Sequence, residues 1–254
     1  MKKEEVISLE VSNAYIPISS LKRGNSPTIE IGYPLTYKPP PESPGWMMSQ
    51  EFWELIWNIP NIKKNPLEYV LEDLHFVQEW NSLWLEFGVY SGRTINYISQ
   101  FAQGKVYGFD SFEGLPEKWR DGFDKGTFTR DGELPVVNKN VELIKGCFDQ
   151  TLLPFLKAHR EKVSLLHLDA DLYSSTKYIL DLLVLCHRID VGTVIVFDEL
   201  VNFMDFAGAK SELRALHEWL LENPNIEAEW IGMNGILGNI GTCFEKAALR
   251  IIGV

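Results

Sequence analysis

The middle of the chain alternates short apolar runs with segments of helical periodicity, and this alternation constrains the fold more than any other feature. The apolar runs lie at 82–87, 105–109, 141–144, 163–168 and 193–197. Apolar residues recur at helical spacing at 94–102, 151–160 and 175–189. Short buried strands that alternate with helices are typical of a parallel sheet covered by helices on both faces. We therefore expect an α/β fold.

Further elements are predicted on both sides of this region. A helix is expected at about 208–222, and strands at 228–231 and 242–246 bring the predicted sheet to seven strands. Two more helices, at 50–58 and about 66–80, are predicted before the first strand. No linker divides these elements, so we expect residues 49–254 to form one domain.

Residues 1–48 are predicted to form an N-terminal arm or lid segment. Prolines at 39, 40, 41 and 44 fix the backbone and remove hydrogen-bond donors, and the segment shows little periodicity. Apolar residues such as Tyr15, Ile16 and Ile31 make it too apolar for a purely disordered tail. We expect it to pack on its own domain, on a second subunit of a homo-oligomer, or over a substrate.

The composition argues against several classes of function. The 35 acidic and 24 basic residues give a formal net charge of -11, which disfavours nonspecific nucleic-acid binding. Cys147, Cys186 and Cys243 are far apart, so neither a disulfide framework nor a zinc site is expected. The start of the chain lacks the apolar core of a signal peptide, and no run approaches the ~20 apolar residues of a membrane span. We expect a cytoplasmic protein that acts on a small molecule.

The end of the first predicted strand has the pattern acidic-x-Gly-x-x-x-Gly, formed by Glu86, Gly88 and Gly92. Gly88 allows a sharp turn, and Gly92 allows a ligand to approach the start of the next helix. A carboxylate at Glu86 would repel a pyrophosphate but attract an amine. Because S-adenosylmethionine carries both an amine and a sulfonium, the pattern favours this cofactor over NAD.

Asp110 ends the second predicted strand, where an acid is placed to accept hydrogen bonds from ribose hydroxyls. Residues next to these strand ends are predicted to line the cofactor. They are Tyr90, Ser91, Arg93, Thr94, Ser111, Phe112, Gly146, Cys147 and Phe148. The alternative is that Glu86 and Asp110 are ordinary strand-end residues and the glycines ordinary turns.

Acidic residues also follow the fourth and fifth predicted strands. Asp169 and Asp171 come after the fourth strand, and Asp198 and Glu199 after the fifth. Both strand ends lie at the same edge of a parallel sheet, so these carboxylates are expected beside the cofactor. Oxygen ligands favour a hard divalent cation such as Mg²⁺, which would hold a substrate hydroxyl and lower its pKa. The alternative is that these acids cap helices or are solvated. His167 is interpreted as a strand residue with a satisfied ring rather than as a ligand.

Four blocks of sequence resemble the macrocin O-methyltransferase family. They are WLEFGVYSGRT at 84–94, VYGFDSFEGLP at 106–116, LDADLYSST at 168–176 and VIVFDE at 194–199. The resemblance covers about residues 84–246 and implies a Rossmann-like class I methyltransferase fold. Members of the family use S-adenosylmethionine and magnesium to methylate sugar hydroxyls of macrolides and related metabolites.

The resemblance also implies roles for single residues. Asp169 corresponds to the metal ligand and general base after strand four, with Asp171 as the second candidate. Asp198 and Glu199 correspond to a pair of aspartates after strand five, so Glu199 departs from the family pattern. The acceptor is expected to be a hydroxyl of a sugar or small metabolite.

Two other functions remain open at this point. An NAD-dependent oxidoreductase would need a glycine turn open to pyrophosphate, which Glu86 obstructs. A non-catalytic S-adenosylmethionine-binding protein would leave the acids at Asp169, Asp198 and Glu199 without a task. Four aromatic residues have two interpretations: they line the binding site of the acceptor, or they pack in the core and loops, which is the favoured one. They are Tyr90, Trp119, Phe123 and Phe128.

Overall fold

A computed structural model describes residues 59–200, 212–234 and 246–254 of the chain. The predicted arm at 1–48, the predicted helix at 50–58 and Cys243 lie outside the described residues. So do the first residues of the helix predicted at 208–222 and most of the strand predicted at 242–246. None of the helices in the described ranges is long and apolar enough to cross a membrane.

The described strands form one sheet. They are β1 (Asn61–Ile62), β2 (Ser82–Phe87), β3 (Val106–Asp110), β4 (Val141–Lys145), β5 (Lys162–Leu168), β6 (Val194–Phe197), β7 (Glu227–Asn234) and β8 (Ala247–Gly253). Their spatial order is β1-β7-β8-β6-β5-β2-β3-β4, and β8 alone runs antiparallel to its neighbours. The Rossmann-like α/β class is confirmed, with eight described strands where the sequence predicted seven. The additional strand is β1, a short edge strand paired with β7.

The helices lie between the strands in the predicted order. They are α1 (Pro66–Glu68), which continues into a π-helical turn at Tyr69–Asp73, α2 (Arg93–Ile98), α3 (Phe148–Ala158), α4 (Tyr173–Leu185) and α5 (Glu212–Glu222). The prediction of one helix over 66–80 was wrong, because the chain leaves the helix at Leu74. Gln78 explains why: its side-chain amide bonds the backbone of Ser82, Gly104 and Lys105, and so ties this segment to the start of the sheet.

The last predicted strand was placed too early in the chain. The structure has β8 at Ala247–Gly253, where Ala247, Ala248 and Leu249 are fully buried between β6 and β7. Alanine is depleted in strands, so the two alanines hid the start of this element. Their small side chains suit a strand that is enclosed on both sides.

The central strands are buried along their length except at the first residues of β2 and β5, as expected for a parallel sheet with both faces covered. Successive residues of β2 alternate between two core clusters, with Leu83, Leu85 and Phe87 in one and Trp84 in the other. This alternation leaves the carboxyl ends of β2, β3, β5 and β6 together at one edge of the sheet.

Candidate functional site

The pairing of the sheet continues past the strands and brings five predicted or newly found residues into one row. Beyond the last paired residues, Gly88 N–H donates to Phe109 at 2.9 Å and Asp169 N–H donates to Phe87 at 2.9 Å. Asp198 N–H donates to Leu168 at 2.8 Å. The row therefore runs Asp110, Gly88, Asp169, Asp198 across the edge. Phe197 pairs with Ala247 in the antiparallel β8, so Lys246 stands at the end of the row.

Gly88 is the point at which the two predicted halves of the site touch. Its φ is +90°, and a Cβ atom at this position would lie 1.9 Å from the carbonyl oxygen of Asp169. No side chain fits at that distance, so only glycine allows the backbone of Asp169 to come this close. The sequence predicted the turn but not this contact.

Asp110 fixes the loop that follows Gly88. One carboxylate oxygen accepts hydrogen bonds from the backbone N–H groups of Val89 at 2.9 Å and Tyr90 at 2.8 Å. The other oxygen accepts from Phe112 N–H at 2.7 Å. A carboxylate has about four acceptor positions, so Asp110 retains capacity for a ribose hydroxyl.

The remaining residues predicted around the turn have different surroundings. Gly92 has a φ of +79° and caps α2, but a Cβ there would meet Pro135 and Val137 at 3.2–3.3 Å. Gly92 therefore admits a neighbouring segment of the protein. Ser91 and Arg93 are exposed and Thr94 is half-buried.

Residues after β3 and β4 lie close to the turn. Gly146 N–H donates to the carbonyl of Asp110 at 2.9 Å, Cys147 is exposed at the start of α3, and Phe148 packs edge-to-face on Phe87. Ser111 is half-buried. Phe112, only 1% exposed, belongs to the core, so the described geometry offers its ring no open face. The cofactor roles of these residues stay predictions.

Four charged residues form a chain beneath and along this edge, here called the charge chain: Glu86, His167, Asp198 and Lys246. Glu86 Oε1 lies 3.0 Å from His167 Nδ1, and both side chains are almost fully buried. His167 Nε2 lies 3.8 Å from Asp198 Oδ1. Asp198 also forms an ion pair with Lys246. Since Glu86 is fully buried, its direct contact with a cofactor amine stays a prediction.

The charge chain shifts the titration of its members. Burial lowers the pKa of His167, but the carboxylates of Asp198 and Glu86 outweigh it and raise that pKa to about 10. Burial raises the pKa of Asp198, whereas His167 and Lys246 together bring it well below its usual range. The neighbouring carboxylates therefore favour the protonated form of His167, whereas burial raises the pKa of Glu86.

Asp169, the predicted base, is in a different state. Burial and the nearby negative charge of Asp198 raise the pKa of Asp169 to about 8. Asp171 follows in a left-handed conformation with a φ of +60° and is 9% exposed. The two acids that the sequence could not separate thus differ: Asp169 lies in the row beside Gly88, and Asp171 lies two residues beyond it.

Glu212 was not predicted as part of the site. It is fully buried, accepts a hydrogen bond from Thr176 Oγ1 at 2.7 Å, and accepts one from Glu199 N–H at 3.4 Å. Burial raises the pKa of Glu212 to about 8. Its signal in the sequence is an acid one position before Leu213, at the start of the apolar face of α5. That signal alone does not separate a buried acid from a helix-terminal one.

The acids do not fit a divalent cation as the structure arranges them. Within the described ranges, no group of three or more His, Cys, Asp or Glu residues is placed to hold a metal ion. The carboxylate of Asp198 already forms an ion pair with Lys246 and lies 3.8 Å from the ring of His167. A hard cation needs several ionised oxygens on one point. The magnesium site therefore stays a prediction that the described geometry does not support.

The aromatic residues considered as an acceptor wall divide into two groups. Trp119 is 6% exposed and packs on Phe123, with the guanidinium of Arg120 3.7 Å from the Trp119 ring centre. The ring centres of Tyr90 and Phe128 lie 5.8 Å apart in an edge-to-face arrangement, and the two residues are 48% and 40% exposed. Packing accounts for Trp119, whereas Tyr90 and Phe128 present open faces beside the turn.

Comparison with solved structures finds several methyltransferases at low similarity. CalS11, a calicheamicin methyltransferase, is 20% identical over 84% of this chain and 94% of its own, with a TM-score of 0.48. The O-methyltransferase NovP is 20% identical over 73% of this chain and 76% of its own, with a TM-score of 0.42. TomG from Streptomyces achromogenes, an O-methyltransferase of tomaymycin synthesis, is 15% identical over 74% and 78%, with a TM-score of 0.46. Similarity at this level transfers no activity or substrate to this chain.

Family comparison is more specific. No curated protein matches the sequence. Residues 85–200 match the model of a family described as a methyltransferase domain. The matched region runs from β2 to the residues just after β6 and contains every residue predicted for the cofactor, the base and the metal.

Proposed function

We propose that this protein is an S-adenosylmethionine-dependent O-methyltransferase that methylates a hydroxyl of a sugar or another small metabolite. The observation that carries the proposal is the contact between Gly88 and Asp169. It puts the candidate base directly against the turn at which the cofactor is expected. The methyltransferase-domain match over residues 85–200 supports the same reaction class.

The described residues fit the cofactor at two points. Asp110 has spare acceptor capacity after bonding three backbone N–H groups, which suits ribose hydroxyls. Glu86 Oε2 is buried and has no hydrogen-bond partner among the described residues, so an acceptor atom is left behind the turn. When bound, S-adenosylmethionine supplies an electrophilic methyl group.

Asp169 would take the proton of the acceptor hydroxyl while the oxygen forms its bond to the methyl carbon. A pKa raised to about 8 makes the ionised Asp169 a stronger base than an ordinary aspartate. The bond between the methyl carbon and the sulfonium sulfur would break as the bond to oxygen forms, with its electron pair left on the sulfur of S-adenosylhomocysteine, and the proton would pass to the Asp169 carboxylate. Divalent-metal assistance, which the resemblance implies, is not included because the acids do not fit a metal.

The acceptor class rests on the resemblance and on two aromatic residues. Tyr90 and Phe128 expose their rings beside the turn, where they would cover the apolar face of a sugar or a similar small ring. The net charge of -11 disfavours a nucleic-acid acceptor.

Calorimetry tests the cofactor. We expect S-adenosylhomocysteine to bind and NAD not to bind. Asp110→Ala should weaken binding at least ~10-fold, because hydrogen bonds to a charged group contribute about 1.5–3 kcal/mol. Asp124→Ala, which changes an exposed acid, is the matched control and should bind normally.

Methyl transfer tests the reaction. Radiolabelled S-adenosylmethionine would be incubated with a panel of nucleoside-diphosphate sugars and glycosides, and transfer of label to a hydroxyl is expected. Asp169→Asn should retain binding of S-adenosylhomocysteine and lose transfer by ~100-fold or more. Binding without transfer to any member of a broad panel would instead favour a non-catalytic binding protein.

A further inference from the structure

We propose that Lys246 takes the place of a divalent cation beside Asp198, so that this chain does not bind a metal at the edge where the resemblance implies one. The assignment of this edge to methyl transfer rests on the proposed function. The exclusion of metal by Lys246 rests on the described geometry alone.

The backbone puts Lys246 beside Asp198 before any side chain is considered. The antiparallel pairing of Phe197 with Ala247 places the residue after β6 opposite the residue before β8. Those residues are Asp198 and Lys246. The ion pair between their side chains is therefore fixed by the register of two neighbouring strands.

The side chains then complete the charge balance. Asp198 is 20% exposed and lies between the ammonium of Lys246 and the ring of His167. A divalent cation on Asp198 would have to approach the ammonium of Lys246, and the repulsion between like charges opposes this. Asp169, the acid next to Asp198 in the row, would have to supply most of the remaining negative charge.

The arrangement gives Lys246 a defined part in the proposed reaction. The ammonium of Lys246 pairs with the carboxylate of Asp198, so that this carboxylate does not serve as a metal ligand. Lys246 is therefore a positioning residue, and Asp169 remains the group in the row that is able to exchange a proton with the acceptor.

Titration with Mn²⁺ alone tests the proposal, with binding followed by electron paramagnetic resonance on the full chain. Wild-type protein should leave Mn²⁺ free up to millimolar concentrations. Lys246→Met, which removes the charge at similar length, should gain one site with an affinity at least ~10-fold above that of the wild type. Lys246→Arg keeps the charge and should behave as the wild type, and the double variant with Lys246→Met and Asp198→Asn should lose the new site.

Two results would overturn the proposal. One is stoichiometric Mn²⁺ binding by wild-type protein that Asp198→Asn abolishes, a result that needs no Lys246 variant to fold. The other is a folded Lys246→Met protein, checked by thermal melting, that still leaves Mn²⁺ free. Calorimetry with S-adenosylhomocysteine on the same samples reports on the proposed function separately, because loss of cofactor binding does not change the meaning of the metal titration.

Discussion

The turn around Gly88 and the acidic edge around Asp198 lie side by side, but they are held in different ways. The turn is fixed by contacts with the backbone. The carboxylate of Asp110 accepts hydrogen bonds from three backbone N–H groups, and the carbonyl of Asp169 leaves space only for glycine at position 88. The acidic edge is fixed by ionised side chains, with Asp198 between His167 and Lys246. The turn should therefore respond to changes of shape, and the edge to changes of charge.

The largest expected effect is on shape. Gly88→Ala forces a Cβ to 1.9 Å from a backbone oxygen, so we expect a loss of more than about 3 kcal/mol in the free energy of unfolding, or no folded protein. Gly122→Ala is the matched control, because Gly122 has a similar φ of +87° and nothing within 4 Å of its Cβ position. It should cost only the left-handed backbone strain of about 1–2 kcal/mol. Urea denaturation measures both, and equal losses would contradict the contact with Asp169.

The next effect is on charge. His167→Asn leaves the buried Glu86 and the partly buried Asp198 without the ring that lies between them, and we expect a loss of about 3–5 kcal/mol in urea denaturation. Adding Glu86→Gln should recover part of this loss. His187→Asn makes the same substitution at an exposed histidine and should change stability by about 0.5 kcal/mol or less. If His167→Asn lowered the free energy of unfolding by less than about 1 kcal/mol, the charge chain would not stabilise this edge of the sheet.

A smaller effect concerns pH. Because the pKa of Glu212 is raised from 4.5 to about 8, the folded protein keeps a proton that the unfolded chain releases. This contribution is fully present below pH 4.5 and is lost as the pH rises through about 8. We therefore compare the Tm at about pH 5.5 with the Tm at about pH 8.5. Over this range the Tm of Glu212→Gln should fall less than that of the wild type, by at least about 2 °C. Glu133→Gln, at an exposed acid, should follow the wild type, and identical curves for all three proteins would refute the assignment.

The smallest effect sharpens the contrast within the edge itself. Lys246 is 34% exposed, so Lys246→Met should change the free energy of unfolding by only about 1 kcal/mol. A much larger loss in the free energy of unfolding would mean that Lys246 mainly stabilises the fold. Comparison with His167→Asn in the same denaturant series measures the difference between the buried and the open end of the charge chain.

The same contrast explains what the sequence could predict. Ser82–Phe87 was predicted with its observed bounds, and the other central strands within one residue, because buried parallel strands are continuous apolar runs. The positions of Gly88 and Asp110 followed from these strand ends. Local spacing was sufficient there.

Where prediction failed, distant contacts decided the structure. The apolar spacing at 66–80 suggested a helix, but the helix ends at Leu74 and the hydrogen bonds of Gln78 tie the following segment to the start of the sheet. Lys246 reaches Asp198 only because β8 is inserted beside β6. The burial of Glu212 depends on how α5 packs against the rest of the protein, and the sequence of α5 alone does not indicate this packing. None of these contacts leaves a local pattern, so only the three-dimensional structure reveals them.

The position of β8 also sets an order of assembly. Among the described strands, β7 and β1 join the rest of the sheet only through β8, because β8 lies between β6 and β7. The parallel strands β2 to β6 can pair with one another as soon as residues 82–197 are available. The far edge of the sheet, and with it the ammonium beside Asp198, has to wait until residues 246–253 are inserted. The ion pair between Lys246 and Asp198 therefore depends on the insertion of β8, whereas the turn around Gly88 depends only on strands that precede it or lie beside it.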